Sequence, residues 1–199
     1  MMHLTKTLPF ILVLALAAPA LAQSTDSETT ETTPDPLELS MGEDAPPEEG
    51  TIYIESKFDD WELRCVRAAG GTDPCQMYQL LKDPNGNPVA EINLFALGGE
   101  GQPAAGATVI TPLETLLTQE LAMSVDGGPV KKFPFSWCSN IGCFSRIGLS
   151  ADDVEAFRRG VNATLSIVPV AAPDQKVNLT VSLKGFTAGY HELDKSQSE

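Results

Sequence analysis

Histidine is almost missing from this chain. There are two, His3 near the start and His191 near the end. A Ser–His–Asp hydrolase holds an imidazole between its acid and its nucleophile. His191 lies in Ala188-Gly189-Tyr190-His191-Glu192 and reads as a surface residue at a frayed end. No Gly-x-Ser-x-Gly occurs, and no phosphate-binding glycine loop follows any strand-like run. Cys-x-x-Cys is absent too, which argues against a thiol–disulfide oxidoreductase. Basic residues are scarce, with 13 Lys and Arg against 27 Asp and Glu and a net charge of −14. That balance argues against nucleic acid and anionic lipid as partners, since both reward a basic surface. Beyond the first residues, no apolar run approaches the about 20 residues that a spanning helix needs.

What is present begins with a leader. Lys6 adds positive charge to the start, and an apolar run follows from Phe10 to Ala18. Ala20-Leu21-Ala22 has the small-x-small pattern of a cleavage site, so residues 1–22 read as a signal peptide cut before Gln23. Gln23 rather than Cys stands directly after that site, which argues against lipid attachment there. Nine of the acids lie in residues 23–50, with no Lys or Arg. Leu37, Leu39 and Met41 are the only bulky apolar residues there. Such a stretch buries too little to offset its ordering entropy, so it reads as a disordered acidic linker. Residues 51–195 suit one domain. With 18 acids against 12 bases, the chain from residue 51 onward is only mildly acidic.

Within that domain apolar residues alternate with polar ones, the mark of half-buried strands. Trp61, Leu63 and Cys65 share one face; so do Ile92, Leu94 and Ala96. Leu121, Met123 and Val125 repeat the pattern, as do Val177, Leu179, Val181 and Leu183. Leu165 and Ile167 belong to another strand. Phe133, Phe135 and Trp137 read as one strand that Pro134 marks as an edge or a bulge. Asn85-Gly86 and Asp126-Gly127-Gly128 supply hairpin turns. One short helix is expected after Ser150, with Asp152, Asp153 and Glu155 at its positive end, Arg158 and Arg159 at its negative end, and Gly160 closing it. About seven strands and a single helix predict an antiparallel, immunoglobulin-like β-sandwich.

The four cysteines are Cys65, Cys75, Cys138 and Cys143. An even count behind an export leader predicts two disulfides. Three pairings are possible, and the local pairs Cys65–Cys75 and Cys138–Cys143 are favoured because each brackets a turn. Each would constrain the unfolded chain by roughly 2–3 kcal/mol on the loop-entropy model. The nine-residue gap after Cys65 is wrong for a zinc site, whose cysteines come in closer pairs.

An ordered set of motifs resembles the invasion-associated locus B family of alphaproteobacterial envelope proteins. It runs from Phe58-Asp59-Asp60-Trp61-Glu62-Leu63-Arg64-Cys65 through Cys75 and Asp126-Gly127-Gly128. It continues with Phe133-Pro134-Phe135, Cys138 and Gly142-Cys143, and ends in Ser182-Leu183-Lys184-Gly185-Phe186-Thr187. Two places depart from the pattern. Pro112-Leu113 is followed by Glu114 rather than Gly, and Phe144-Ser145 replaces a small residue expected after Gly142-Cys143. The resemblance implies a periplasmic or outer-envelope β-sandwich, linked in host-associated bacteria to invasion of host cells. It brings no catalytic residues with it.

Nothing else in the sequence supplies chemistry. Asp59/Asp60 and Asp152/Asp153 are adjacent pairs. A glycosidase instead sets two carboxyls about 5–9.5 Å apart across a cleft. Asp83-Pro84-Asn85-Gly86-Asn87 lacks the closing acid of a calcium loop. Asn162-Ala163-Thr164 and Asn178-Leu179-Thr180 match the glycosylation pattern but fall in predicted strands. No catalytic, metal or cofactor residues are assigned. The expectation is a non-enzymatic envelope protein that binds an unidentified protein or envelope component. Trp61, Phe133, Phe135 and Trp137 read first as core; if Phe133 or Trp137 is exposed at an edge strand, that edge is one place for a partner strand. The alternative is a periplasmic enzyme or enzyme inhibitor with a site built from the loop at residues 97–106.

Overall fold

Alternation in sequence becomes alternation in burial along the strand Trp61–Val66, where Trp61, Leu63 and Cys65 are buried and their neighbours half-buried. Eleven strands lie in the second of two units, Met1–Asp44 and Ala45–Glu199, among the described residues. A computed structural model describes residues 41–43, 45, 48–97 and 103–197. The leader and most of the acidic segment lie outside the described residues. Residues 41–43 of the first unit are exposed.

One antiparallel sheet has seven strands: β1 (Ile52–Phe58), β2 (Trp61–Val66), β3 (Cys75–Lys82), β4 (Pro88–Ala96), β5 (Ala105–Thr111), β8 (Phe135–Ser139) and β9 (Gly142–Leu149). Its spatial order is β1-β2-β3-β4-β5-β9-β8. The other sheet has β6 (Leu121–Val125), β7 (Lys131–Phe133), β10 (Asn162–Ile167) and β11 (Val177–Ser182), in the order β11-β10-β6-β7. Inner residues of both meet in one core, with Leu63, Met77, Ile92, Leu94 and Val109 from the first and Leu121, Leu165, Leu179 and Val181 from the second. Two antiparallel sheets closing over shared apolar faces make the expected sandwich.

Two polar side chains fix the sandwich at one side. Gln79 points inward from β3 and is almost fully buried. Its Nε2 donates to the Ser182 carbonyl at 2.9 Å, and its Oε1 accepts from the Ser182 N–H at 2.8 Å. Trp61 Nε1 donates to the same carbonyl at 2.8 Å. Ser182 ends β11, an edge strand, so the first sheet satisfies backbone groups that no neighbouring strand reaches.

Helix α1 (Ala151–Arg159) begins as expected at Ser150, through a capping box with Asp153. Gly160 follows it, but in an extended conformation with φ −77° rather than a left-handed one. Packing explains this glycine: a Cβ there would sit 2.8 Å from both Leu183 Cδ1 and Val125 Cγ1. The expectation of a single helix needs correcting, because a second one, α2, spans Phe186–Ser196. Phe186, Gly189, Tyr190 and Leu193 lie on its buried face at helical spacing. His191 therefore sits on the exposed side of a helix, not in a frayed end. The Phe186 ring packs against Trp61, Phe157 and Tyr190 at 5.3–5.7 Å between centroids.

The turns follow two patterns. Asp126 (φ 45°) and Gly127 (φ 72°) form a tight turn, closed by the Gly128 N–H donating to the Val125 carbonyl at 2.8 Å, within the longer connection from β6 to β7. Between β3 and β4 only Gly86 takes a positive φ. There Asp83 organises the loop by accepting hydrogen bonds from the amides of Asn85 and Asn87 and from Asn87 Nδ2.

Candidate interaction surface

Three of the four acids in the pairs singled out from the sequence, Asp59, Asp60 and Asp153, are engaged in the fold. Asp59-Asp60 is the turn joining β1 to β2. Asp60 accepts from Ser182 Oγ at 2.6 Å, and Asp59 lies 3.2 Å from Lys184 Nζ. Asp153 closes the capping box and pairs with Lys131. Burial pushes the Asp153 carboxyl upward, but Lys131 and Ser150 outweigh that and hold it below the ordinary carboxylate range. Amides of Asn162 and Val161 do the same for Asp126. Among the described residues, no group of three or more His, Cys, Asp or Glu side chains is placed to hold a metal ion.

A groove of about 780 Å³ lies beside β2, β3 and β11. Its charged lining is largely paired: Glu62 binds Lys57 at 2.9 Å and Arg64 at 2.7 Å. The Lys57 hydrogen bond and the Arg64 contacts lower the Glu62 pKa. Arg64 in turn covers the Tyr78 ring, 3.2 Å from its centroid. These contacts leave little unsatisfied chemistry in the groove. The loop at residues 97–106 falls largely on residues 98–102, which lie outside the described residues; Ala105 and Gly106 belong to β5.

The aromatics divide. Trp61 is core, and Phe133 and Phe135 pack against the core while partly exposed. Trp137 is 47% exposed. The expected single strand through all three is broken at Pro134. The segment before it pairs with β6 in the small sheet, and the segment after it with β9 in the large one. Proline supplies no N–H to a ladder, which suits it to a crossing between sheets. Ser145 Oγ donates to the Pro134 carbonyl and holds the crossing. A register shift then follows between Phe135 and Trp137. Phe135 pairs with buried Ser145, but Trp137 pairs with Phe144 on the outer face. An extra residue in one strand moves the next side chain to the opposite face. Period-two reading misses this because it assumes no insertion.

Register assembles a row across the outer face that is apolar except at Glu91. Leu80 pairs with Glu91, Glu91 with Ile110, Ile110 with Phe144, and Phe144 with Trp137. The Trp137 and Phe144 rings stack at 4.7 Å with an interplanar angle of 11°. Phe144 is the residue at which the family resemblance leads one to expect something small. Ile141, 68% exposed in the β8–β9 turn, lines a shallow cavity of about 250 Å³ with Leu80, Ile110 and Pro112.

The row ends at a free strand edge. β8 lies at the end of the large sheet and pairs only with β9 among the described residues. Its sequence, Phe135-Ser136-Trp137-Cys138-Ser139, has no charge, the usual protection of an exposed edge. Cys138 is bonded to Cys143 directly opposite on β9, and Cys65 to Cys75 between β2 and β3. Both bridges therefore lie within the large sheet, each joining neighbouring strands.

These features define a class: a β-sandwich stapled twice within one sheet, with an aromatic stripe leading to an uncharged edge. The chain belongs to the invasion associated locus B (IalB) protein family, whose model matches residues 61–194. Invasion protein B homologs of Brucella abortus, from strain 2308 and from biovar 1 strain 9-941, are each 26% identical over 153 residues. The match covers 75% of this chain and 82% of each relative. The crystal structure of invasion associated protein B from Bartonella henselae matches with a TM-score of 0.62 and 22% identity. That match covers 72% of this chain and 96% of the other and speaks to the fold. The motifs carrying the family resemblance are largely explained by packing: Trp61, Ser182 and Phe186 form the joint between the sheets and α2.

Proposed function

We propose that this is an exported, non-enzymatic protein of the cell envelope that binds another protein by adding a strand at the β8 edge. On this reading residues 1–22 are removed on export. Residues 23–50 then form an acidic segment ahead of the folded domain. The observation that carries the binding role is the exposure of Trp137 on a strand that lacks charge and, among the described residues, a second neighbour. An exposed strand edge accepts an extended segment through backbone hydrogen bonds, while side-chain contacts select it. The sandwich and the two cross-strand disulfides suit a protein that must hold its shape in an oxidising compartment. The names of its relatives tie the family to invasion, a process that a binding protein at the envelope could serve without catalysis.

The test compares the chain from Gln23 onward with its Trp137→Ser and Ser136→Lys variants in crosslinking within envelope extracts. A protein captured by the parent chain and lost from both variants supports the reading, provided thermal midpoints are unchanged. Capture unaffected by either variant would place the partner elsewhere. A crosslink between two copies that vanishes in the variants would show self-pairing at this edge and overturn binding to another protein.

A further inference from the structure

Cys138 and Cys143 face each other with 4.0 Å between Cα atoms. That short spacing belongs to a non-hydrogen-bonded antiparallel pair, where backbone groups point away from the partner strand. The Cys138 N–H and C=O are thus directed outward from β9, and among the described residues no turn or loop backbone group bonds them. The edge presents one donor and one acceptor beside the Trp137 side chain.

A cation flanks this edge. Arg146 lies two residues beyond Phe144 on the same face of β9 and is exposed. Lys132, exposed on β7 and paired with Ala122, faces the outer side of the small sheet and so lies on the opposite face from Arg146. Neither makes a salt bridge among the described residues, although Lys131 next door does. The chain from residue 51 onward holds more acids than bases, so the unmatched Arg146 beside this edge is locally against its trend. By extension of the ladder, the place on β8 opposite Arg146 falls to Pro134. A side chain from an added strand would cross only that ring to reach the guanidinium.

We propose that the partner segment at β8 is extended and acidic, with an apolar residue against Trp137 and a carboxylate two positions away, directed to Arg146. This rests on the edge reading above and names its occupant. Two residues of strand cover about 6.8 Å, which matches the step from Phe144 to Arg146. An added strand would lie two spacings, roughly 10 Å, from β9, within joint reach of a glutamate and an arginine. A second copy of this chain fits less well. Its own β8 is an uncharged strand and brings no carboxylate to meet Arg146.

The probe is a short blocked peptide repeating threonine, leucine, threonine and glutamate, with a lysine-for-glutamate counterpart. Both are titrated into the chain from Gln23 onward, following intrinsic fluorescence and exchange of the Cys138 amide. The glutamate peptide should bind and slow that exchange, and the lysine peptide should bind at least about tenfold more weakly. Arg146→Glu should weaken the glutamate peptide about tenfold and strengthen the lysine one. Equal binding of both peptides, abolished by Trp137→Ser, would overturn the acidic occupant and leave the edge intact. Glutamate-peptide binding that survives Trp137→Ser, with no slowing of Cys138 exchange, would overturn the edge itself. Dimers in sedimentation that vanish with Trp137→Ser would give the edge to a second copy and overturn this proposal.

Discussion

Replacing Gln79 by leucine should loosen the sandwich at the end of β11. Gln79 is 6% exposed and makes two hydrogen bonds to the Ser182 backbone, at 2.9 and 2.8 Å. Leucine has nearly the same volume, so the change removes polarity rather than bulk. The Ser182 carbonyl keeps the Trp61 indole as donor. The Ser182 N–H loses its acceptor. An unsatisfied donor costs about 1–3 kcal/mol, and loss of the second bond adds about 1 kcal/mol. Burial of the new methyl groups returns roughly 1 kcal/mol. The net loss is about 2 kcal/mol, which for a domain of this size lowers the thermal midpoint by about 4–8 °C. Circular dichroism would give the midpoint, and hydrogen exchange would follow the Ser182 amide. Gln79→Glu should cost more, because a nearly buried carboxylate would face the Ser182 carbonyl. An unchanged midpoint in Gln79→Leu, with the Ser182 amide still slow to exchange, would refute the claim that this side chain holds β11 to the large sheet.

Two further outcomes are expected. Removing the Cys138–Cys143 bridge by paired serine substitution should cost about 2 kcal/mol on the loop-entropy model and weaken strand addition at β8; peptide mapping without reductant should recover Cys65 with Cys75 and Cys138 with Cys143, and a Cys65–Cys143 crosslink would contradict both. Stability should also fall in acid, since Asp126 and Asp153 have folded pKa values below the ordinary range: their contribution is complete above the unfolded value of about 4 and is lost as pH drops through the folded values. Asp126→Asn should flatten that acid limb in a series of thermal melts.

The sandwich was legible because burial here follows period two with few interruptions. Strands such as Trp61–Val66 and Val177–Ser182 announce their inner faces in the sequence alone. Helix α1 was legible too, since a capping serine and an ordered charge gradient are local signals. Helix α2 was missed although Phe186, Gly189, Tyr190 and Leu193 have helical spacing. Two glycines within five residues read as loop chemistry, and tertiary packing overrides their low propensity. Gln79 looked like any polar residue between apolar ones, and nothing local tells that its partner is 103 residues away.

The binding surface shows a different kind of limit. Trp137 and Phe144 are seven residues apart, and a turn signal lies between them, so their meeting could be guessed as a hairpin. Which face they occupy could not. One inserted residue after Phe135 decides it, and without that insertion Trp137 would point inward with Phe135. Leu80 and Ile110 join the same stripe only through the registers of β3, β4 and β5. A stripe drawn from five strands has no sequence motif, whereas the joint of Trp61, Ser182 and Phe186 does, because its parts sit in two compact segments. Motif resemblance in this chain therefore reports the fold's joint. What the protein binds is to be sought where register, not motif, gathers the residues, and the place at which this chain departs from the expected pattern, Phe144, lies inside that stripe.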